Sequence, residues 1–237
     1  MPQATLLNNI DHKNLRIITK HGADYGDNVG FTNTFPAEFQ NLQAHYPIVF
    51  RELDENNFDA IAILGLTPDE NLFLGAHGWD ASYIPVMIQR QPFLIGQSDD
   101  QLMVHFFSDS PKVSKSADEG EPVFLEHGGP TPYLENINSL LSAIHQGMND
   151  LQTFIKTLRE HDLLESFVVD IELNDGSKSR LDGFYTIKLS ALQNLSASTL
   201  ETMNRSGHLQ SIYMVIASMS NFGSLVYRKN RRNAERA

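Results

Sequence analysis

At 237 residues, with 41% hydrophobic and 20% charged side chains, the chain can bury a substantial core and has an ordinary globular composition. It contains no cysteine, which excludes disulfides, thiolate zinc sites and cysteine nucleophiles. Its net charge of −11 sets an acidic surface against phosphate backbones, so no nucleic-acid partner is expected.

The charge is unevenly spread. From Arg228 onward there are five basic residues (Arg228, Lys229, Arg231, Arg232 and Arg236) and one acid, Glu235. Residues 228–237 therefore read as a basic, disordered tail, able in principle to meet an acidic partner. No apolar run approaches the roughly 20 residues that a membrane helix needs. The opening MPQATLLNNIDHKNLR lacks the basic start and apolar core of a secretory signal, so a soluble, cytoplasmic protein is expected.

In chain order, a strand is predicted over Leu15–Thr19, followed by the exposed loop HGADYGDNVG, long enough to shape a binding site. Pro36 suits a first helical turn, with Phe39 and Leu42 as the apolar side and Pro47 as the stop. Ile48–Leu53 and Asp59–Leu66 read as a hairpin around Asp54-Glu55-Asn56-Asn57. The second of these strands is apolar on both faces and is expected to be central in its sheet. Thr67–Asn71 is a turn into Leu72-Phe73-Leu74.

Ser82 is expected to cap a short helix to Arg90, with Tyr83, Met87 and Arg90 on one face. Strands Phe93–Gly96 and Leu102–Phe107 follow, joined at Ser98-Asp99-Asp100. Residues 108–131 form a long linker ending in His127-Gly128-Gly129-Pro130-Thr131. Thr131 and Pro132 then open a helix to about His161, with Leu134, Ile137, Leu141, Ile144, Met148, Leu151, Ile155 and Leu158 at alternating spacings of three and four. Such a seam serves either a homo-oligomer or partner helix through residues 132–161, or burial against the chain's own sheet; Leu140 and Phe154 widen it toward the second use. A hairpin over Phe167–Leu173 and Ser177–Tyr185 turns at Asn174-Asp175-Gly176. Short helices near 190–195, 198–205 and 209–219 end the fold.

Chemistry is harder to find. No histidine pair has HxH or HxxxH spacing, no HExxH occurs, and His77 and His105 need a third ligand from as far as His127, so no metal site is expected. His127-Gly128-Gly129-Pro130 is similar to an oxyanion-hole loop, but no GxSxG accompanies it, and neither a Walker loop nor a GxGxxG is present. The candidate ligand- or partner-binding residues are Trp79, Tyr83, Arg90, Phe93 and His127. Aromatics beside an arginine can stack on a flat ligand or clasp a carboxylate; equally, Trp79 can fill the core with Arg90 paired to an acid.

Tyr46-Pro47-Ile48-Val49-Phe50, Ile63-Leu64-Gly65-Leu66, Glu70–Leu74, Trp79, Tyr83-Ile84-Pro85 and Arg90–Phe93 together resemble the N-terminal half of the SapC-like family of bacterial proteins. Glu119–Phe124, Asp182–Ile187, Gly207-His208-Leu209, Ile212-Tyr213 and Ser218-Met219 resemble its second half. The family name is shared with a transporter permease, which needs several apolar spans that this chain lacks. The resemblance implies an accessory role, with relatives in gene neighbourhoods of flavin-dependent halogenase-like proteins, cupin-like proteins and outer-membrane receptors; it implies no catalytic residues.

The expected fold is α+β: an antiparallel β-meander, a long amphipathic central helix, a second β-hairpin and a helical C-terminus. These are expected to form one domain over residues 1–227, with subregions of about 1–107 and 132–227. The leading functional expectation is a non-enzymatic binding or accessory protein without a cofactor, recognising a partner protein, a peptide or a small molecule. Its rivals are an enzyme with a site near Trp79 and His127, and a surface-layer structural protein.

Overall fold

The computed structural model describes residues 4–54, 57–98 and 101–236. In chain order these form β1 (Ala4–Leu6), β2 (Arg16–Ile17), β3 (Phe31–Thr34), α1 (Phe39–Leu42), β4 (Ile48–Asp54), β5 (Asn57–Ile63), β6 (Leu74–Gly75) and β7 (Gly78–Trp79). Then come α2 (Val86–Gln89), β8 (Phe93–Ser98), β9 (Gln101–Phe107), β10 (Glu121–Pro122) and α3 (Pro132–Glu160). The chain ends in β11 (Leu164–Glu172), β12 (Lys178–Ile187), α4 (Leu189–Gln193), α5 (Ala197–Arg205), α6 (His208–Ser218) and α7 (Asn221–Arg236). The fold is α+β, with antiparallel sheets and a long central helix as expected. The residue pairs Glu55-Asn56 and Asp99-Asp100, at the centres of two expected turns, lie outside the described residues.

Two compact units share the chain. The first comprises residues 1–28, 74–80 and 86–146; the second comprises 29–73, 81–85 and 147–237. In the first, β1, β9 and β8 form an antiparallel sheet, and β10 pairs with β2. Its core joins Ile17, Phe93, Phe106 and Val123 to Leu134, Ile137 and Leu141 from the N-terminal half of α3. Thr131 caps that helix as expected: its Oγ1 accepts from the Leu134 N–H at 3.3 Å.

The second unit is built on a five-stranded antiparallel sheet ordered β11-β12-β4-β5-β3. β5 has β3 and β4 on its two sides and buries Phe58 and Ala60 through Ile63, which is why its sequence is apolar on both faces. Leu151, Phe154, Ile155 and Leu158 of α3 are buried, and the Phe154 ring lies 6.0 Å from Phe39 and 6.2 Å from Phe50. Six of the eight seam residues of α3 are therefore buried inside the two units, with Ile144 and Met148 half-buried between them in sequence. Gly65 has a steric reason: a Cβ there would lie 2.0 Å from the Glu70 carbonyl oxygen, so the turn can close against the strand only over a glycine.

Three expectations need correction. The basic tail is not disordered; it belongs to α7, which runs to Arg236. Lys229 Nζ reaches Glu70 Oε1 at 2.7 Å, Arg232 donates to the Asn71 carbonyl at 2.9 Å, and Arg228 lies 4.4 Å over the Phe73 ring. Glu70 and Asn71 are buried, so these contacts give the cations internal partners. The helix expected from Ser82 begins only at Val86. Residues 81–85 instead form a bend and irregular coil pinned at Tyr83: the Tyr46 hydroxyl donates to the Tyr83 carbonyl, and the Tyr83 hydroxyl donates to Glu38 Oε1 at 3.1 Å. The strand expected at Leu72–Leu74 shrinks to the small β6–β7 hairpin, pairing Leu74 with Trp79.

Candidate functional site

The residues singled out from sequence are dispersed. Phe93 is wholly buried in the first core, and Arg90 donates back to the Phe93 carbonyl. Burial pushes the Arg90 guanidinium below its ordinary value. Tyr83 belongs to the second unit, where its hydroxyl serves the buried Glu38 carboxylate; burial first, and then the Glu38 charge, raise the phenol well above its usual range. His127 is exposed on a turn closed by Leu125 N–H to Gly129 O at 2.8 Å. Beside that turn is an open groove of about 740 Å³ lined by Lys13, Arg16, Phe124, Leu125 and Glu126, but not by His127. Among the described residues, no group of three or more His, Asp or Glu is arranged to hold a metal ion.

Trp79 does mark a charged cluster. Its ring stands edge-on to His21 at 5.7 Å. His21 Nδ1 lies 3.2 Å from Asp27 Oδ2, which also accepts from Lys112 Nζ at 3.1 Å and from the Gly22 N–H at 3.0 Å. Lys112 donates further to the Lys20 carbonyl and sits 5.8 Å from the Tyr25 ring. Asp27 is 0% exposed and Lys112 2%. Burial is the largest influence on Asp27 and opposes its ionisation, but the His21 hydrogen bond, the Lys112 charge and the Gly22 N–H together hold it below the usual carboxylate value. Burial pushes Lys112 down, and Asp27 partly offsets this. The cluster holds the HGADYGDNVG loop in place; it opens onto no cleft among those described. The length of the loop was the only sequence signal for it, because Lys112 arrives from 85 residues further along the chain.

A more open arrangement lies in the second unit. Gly207, at φ +80°, breaks the chain between α5 and α6, a conformation that disfavours any side chain with a Cβ. His208 follows as the first residue of α6. Its ring packs edge-on to Phe154 at 5.4 Å. Burial pushes the imidazole below its ordinary value, opposed by the Asp150 charge, so it is neutral near pH 7.

Two clefts meet at this residue. One, of about 430 Å³, is lined by Gln40, Asp150, Thr153, Gln210 and Ser211 among others; the other, of about 360 Å³, by Thr157, Glu160, His161, Ser198 and Thr202 among others. Ser206 and His208 line both. Asp150, Thr153, Thr157 and Glu160 recur at helical spacing along one face of α3, so this wall is about 15 Å long at 1.5 Å per residue. Half of the lining residues carry hydroxyls or amides, acids stand at both ends of the α3 wall, and the lining contains no lysine or arginine.

A family model described as SapC matches residues 7–225 of the chain. The chain belongs to the SapC family. No curated protein and no solved structure matches it. Within this SapC chain, Gly207-His208-Leu209, one of the stretches that carried the family resemblance, stands at the meeting point of the two clefts. No helix among the described residues is long and apolar enough to cross a membrane.

Proposed function

We propose that this SapC-family chain is a binding protein that takes an extended polar segment of a partner protein along the groove between α3 and the α5–α6 junction. The observation that carries this is the pair of clefts sharing Ser206 and His208. At about 3.3 Å per residue, a 15 Å wall accommodates four or five residues of extended peptide. The Thr157, Thr202, Ser206 and Ser211 hydroxyls donate to carbonyls three or four residues back and so offer acceptor lone pairs, while Gln40 and Gln210 bring amides with both donors and acceptors. Asp150 and Glu160, the latter 3.8 Å from Lys156 Nζ on its own helix, give the wall a carboxylate at each end and favour a segment with basic side chains. The resemblance to SapC-like proteins implies an accessory role beside halogenase-type gene clusters, so the partner is sought among neighbouring gene products. A second copy paired through residues 132–161 is the weaker candidate, because six of the eight seam residues of α3 are already buried. On the same reading the protein is cytoplasmic and has no resident cofactor.

The test is capture of the neighbour-encoded partner by the intact chain, followed by titration with basic and acidic pentapeptides. Thr153 is exposed, so Thr153→Trp fills the groove without entering the core. The expected result is at least tenfold weaker binding, or about 1.4 kcal/mol. Undiminished capture by both Thr153→Trp and His208→Ala would overturn the assignment.

A further inference from the structure

The segment that failed to become a helix presents a different chemistry. Ser82 Oγ and His45 Nε2 lie 2.6 Å apart, within reach for proton transfer from the hydroxyl to the imidazole. The two residues are 37 positions apart, and neither is placed by chance fraying. His45 follows α1, with its N–H bonded to the Leu42 carbonyl at 2.9 Å and its ring edge-on to Tyr46 at 5.9 Å. Ser82 immediately precedes Tyr83, whose carbonyl and hydroxyl are both engaged, the latter by the buried Glu38. A serine on a bend pinned at the next residue does not have to be ordered when a reactant arrives.

We propose that Ser82 and His45 form a nucleophile–base dyad that accepts an acyl group from carboxylic esters with good leaving groups. Ser82 Oγ bonds to the carbonyl carbon while His45 Nε2 takes its proton; the bond to the leaving alkoxide breaks, and that oxygen receives the proton from His45. Water then attacks the acyl-serine, passing a proton through His45 back to Oγ and releasing the carboxylic acid. Ester and water are thus converted to acid and alcohol. Among the described residues no carboxylate pairs with the His45 imidazole, which suits activated esters rather than amides. This inference is independent of the groove.

The test uses the intact chain with p-nitrophenyl acetate and, separately, diisopropyl fluorophosphate, with adducts located by mass spectrometry. One adduct per chain is expected at Ser82. It should be absent in Ser82→Ala, and formed some 10²-fold or more slowly in His45→Asn. Both side chains lie at the surface, and thermal melting confirms that the variants fold. Adducts spread over lysines and tyrosines without preference for Ser82 would overturn the proposal, as would an unchanged labelling rate in folded His45→Asn.

Discussion

The two units treat polar groups in opposite ways. In the first, Asp27, Lys112 and His21 gather beside Trp79 with little exposure, and their hydrogen bonds are spent on one another and on the loop backbone. In the second, the serines, threonines and amides around His208 line open clefts where a ligand can reach them. A shifted ionisation alone therefore does not distinguish a site from a structural clamp. Access distinguishes them: the groove hydroxyls also have internal partners, but they face open space.

The largest effect that would sharpen this contrast is on the clamp. Lys112→Met leaves the Asp27 carboxylate buried without its cation and should destabilise the protein by about 3–5 kcal/mol in chemical denaturation. Adding Asp27→Asn should recover much of that loss. If Lys112→Met unfolds at the wild-type midpoint, the cluster is no clamp. Next comes Tyr83→Phe, which removes a donor from buried Glu38; a loss of about 1–3 kcal/mol is expected in the same measurement.

Acid titration follows. The folded-state value of Asp27 is lowered, so its contribution is present above the unfolded value near 3.8 and disappears as pH falls through the folded value below that. Denaturation midpoints from pH 6 down to pH 2 should fall more steeply for wild type than for the Lys112→Met/Asp27→Asn double variant. The smallest effect belongs to the open site. His208 has a lowered folded value, so the folded state favours the neutral ring, and stability declines slightly as pH drops below about 6.5. His208→Ala should flatten that slope while leaving the midpoint at pH 7.5 nearly unchanged. A large loss of stability at pH 7.5 would mean that His208 is primarily a packing residue.

Much of the architecture was legible in the chain because it depends on local periodicity. The α3 stripe, the Thr131-Pro132 start, both long hairpins and the apolar β5 follow from side-chain alternation and capping. The family was legible as well, from motifs spread over residues 46–219. Very short elements were not: β1 and β10 have three and two residues and are strands only because β9 and β2 pair with them. The basic run at 228–236 was read as a tail because its charges exceed any local partner. It is a helix because Glu70 and Asn71, some 160 positions earlier, supply the missing contacts.

The candidate sites divide along the same line. Composition and spacing alone exclude cysteine chemistry and the common phosphate-binding loops, and they expose the long central helix that walls the groove. Which residues meet is a tertiary matter. Phe93 is core, Tyr83 supports Glu38, and Trp79 borders a salt-bridged loop, because burial and partners far along the chain settle each side chain's use. The joining of the two clefts at His208 and the approach of Ser82 to His45 have no local signature. Each is produced by segments 37 or more residues apart, brought together only when the sheet and the helices bury their apolar faces.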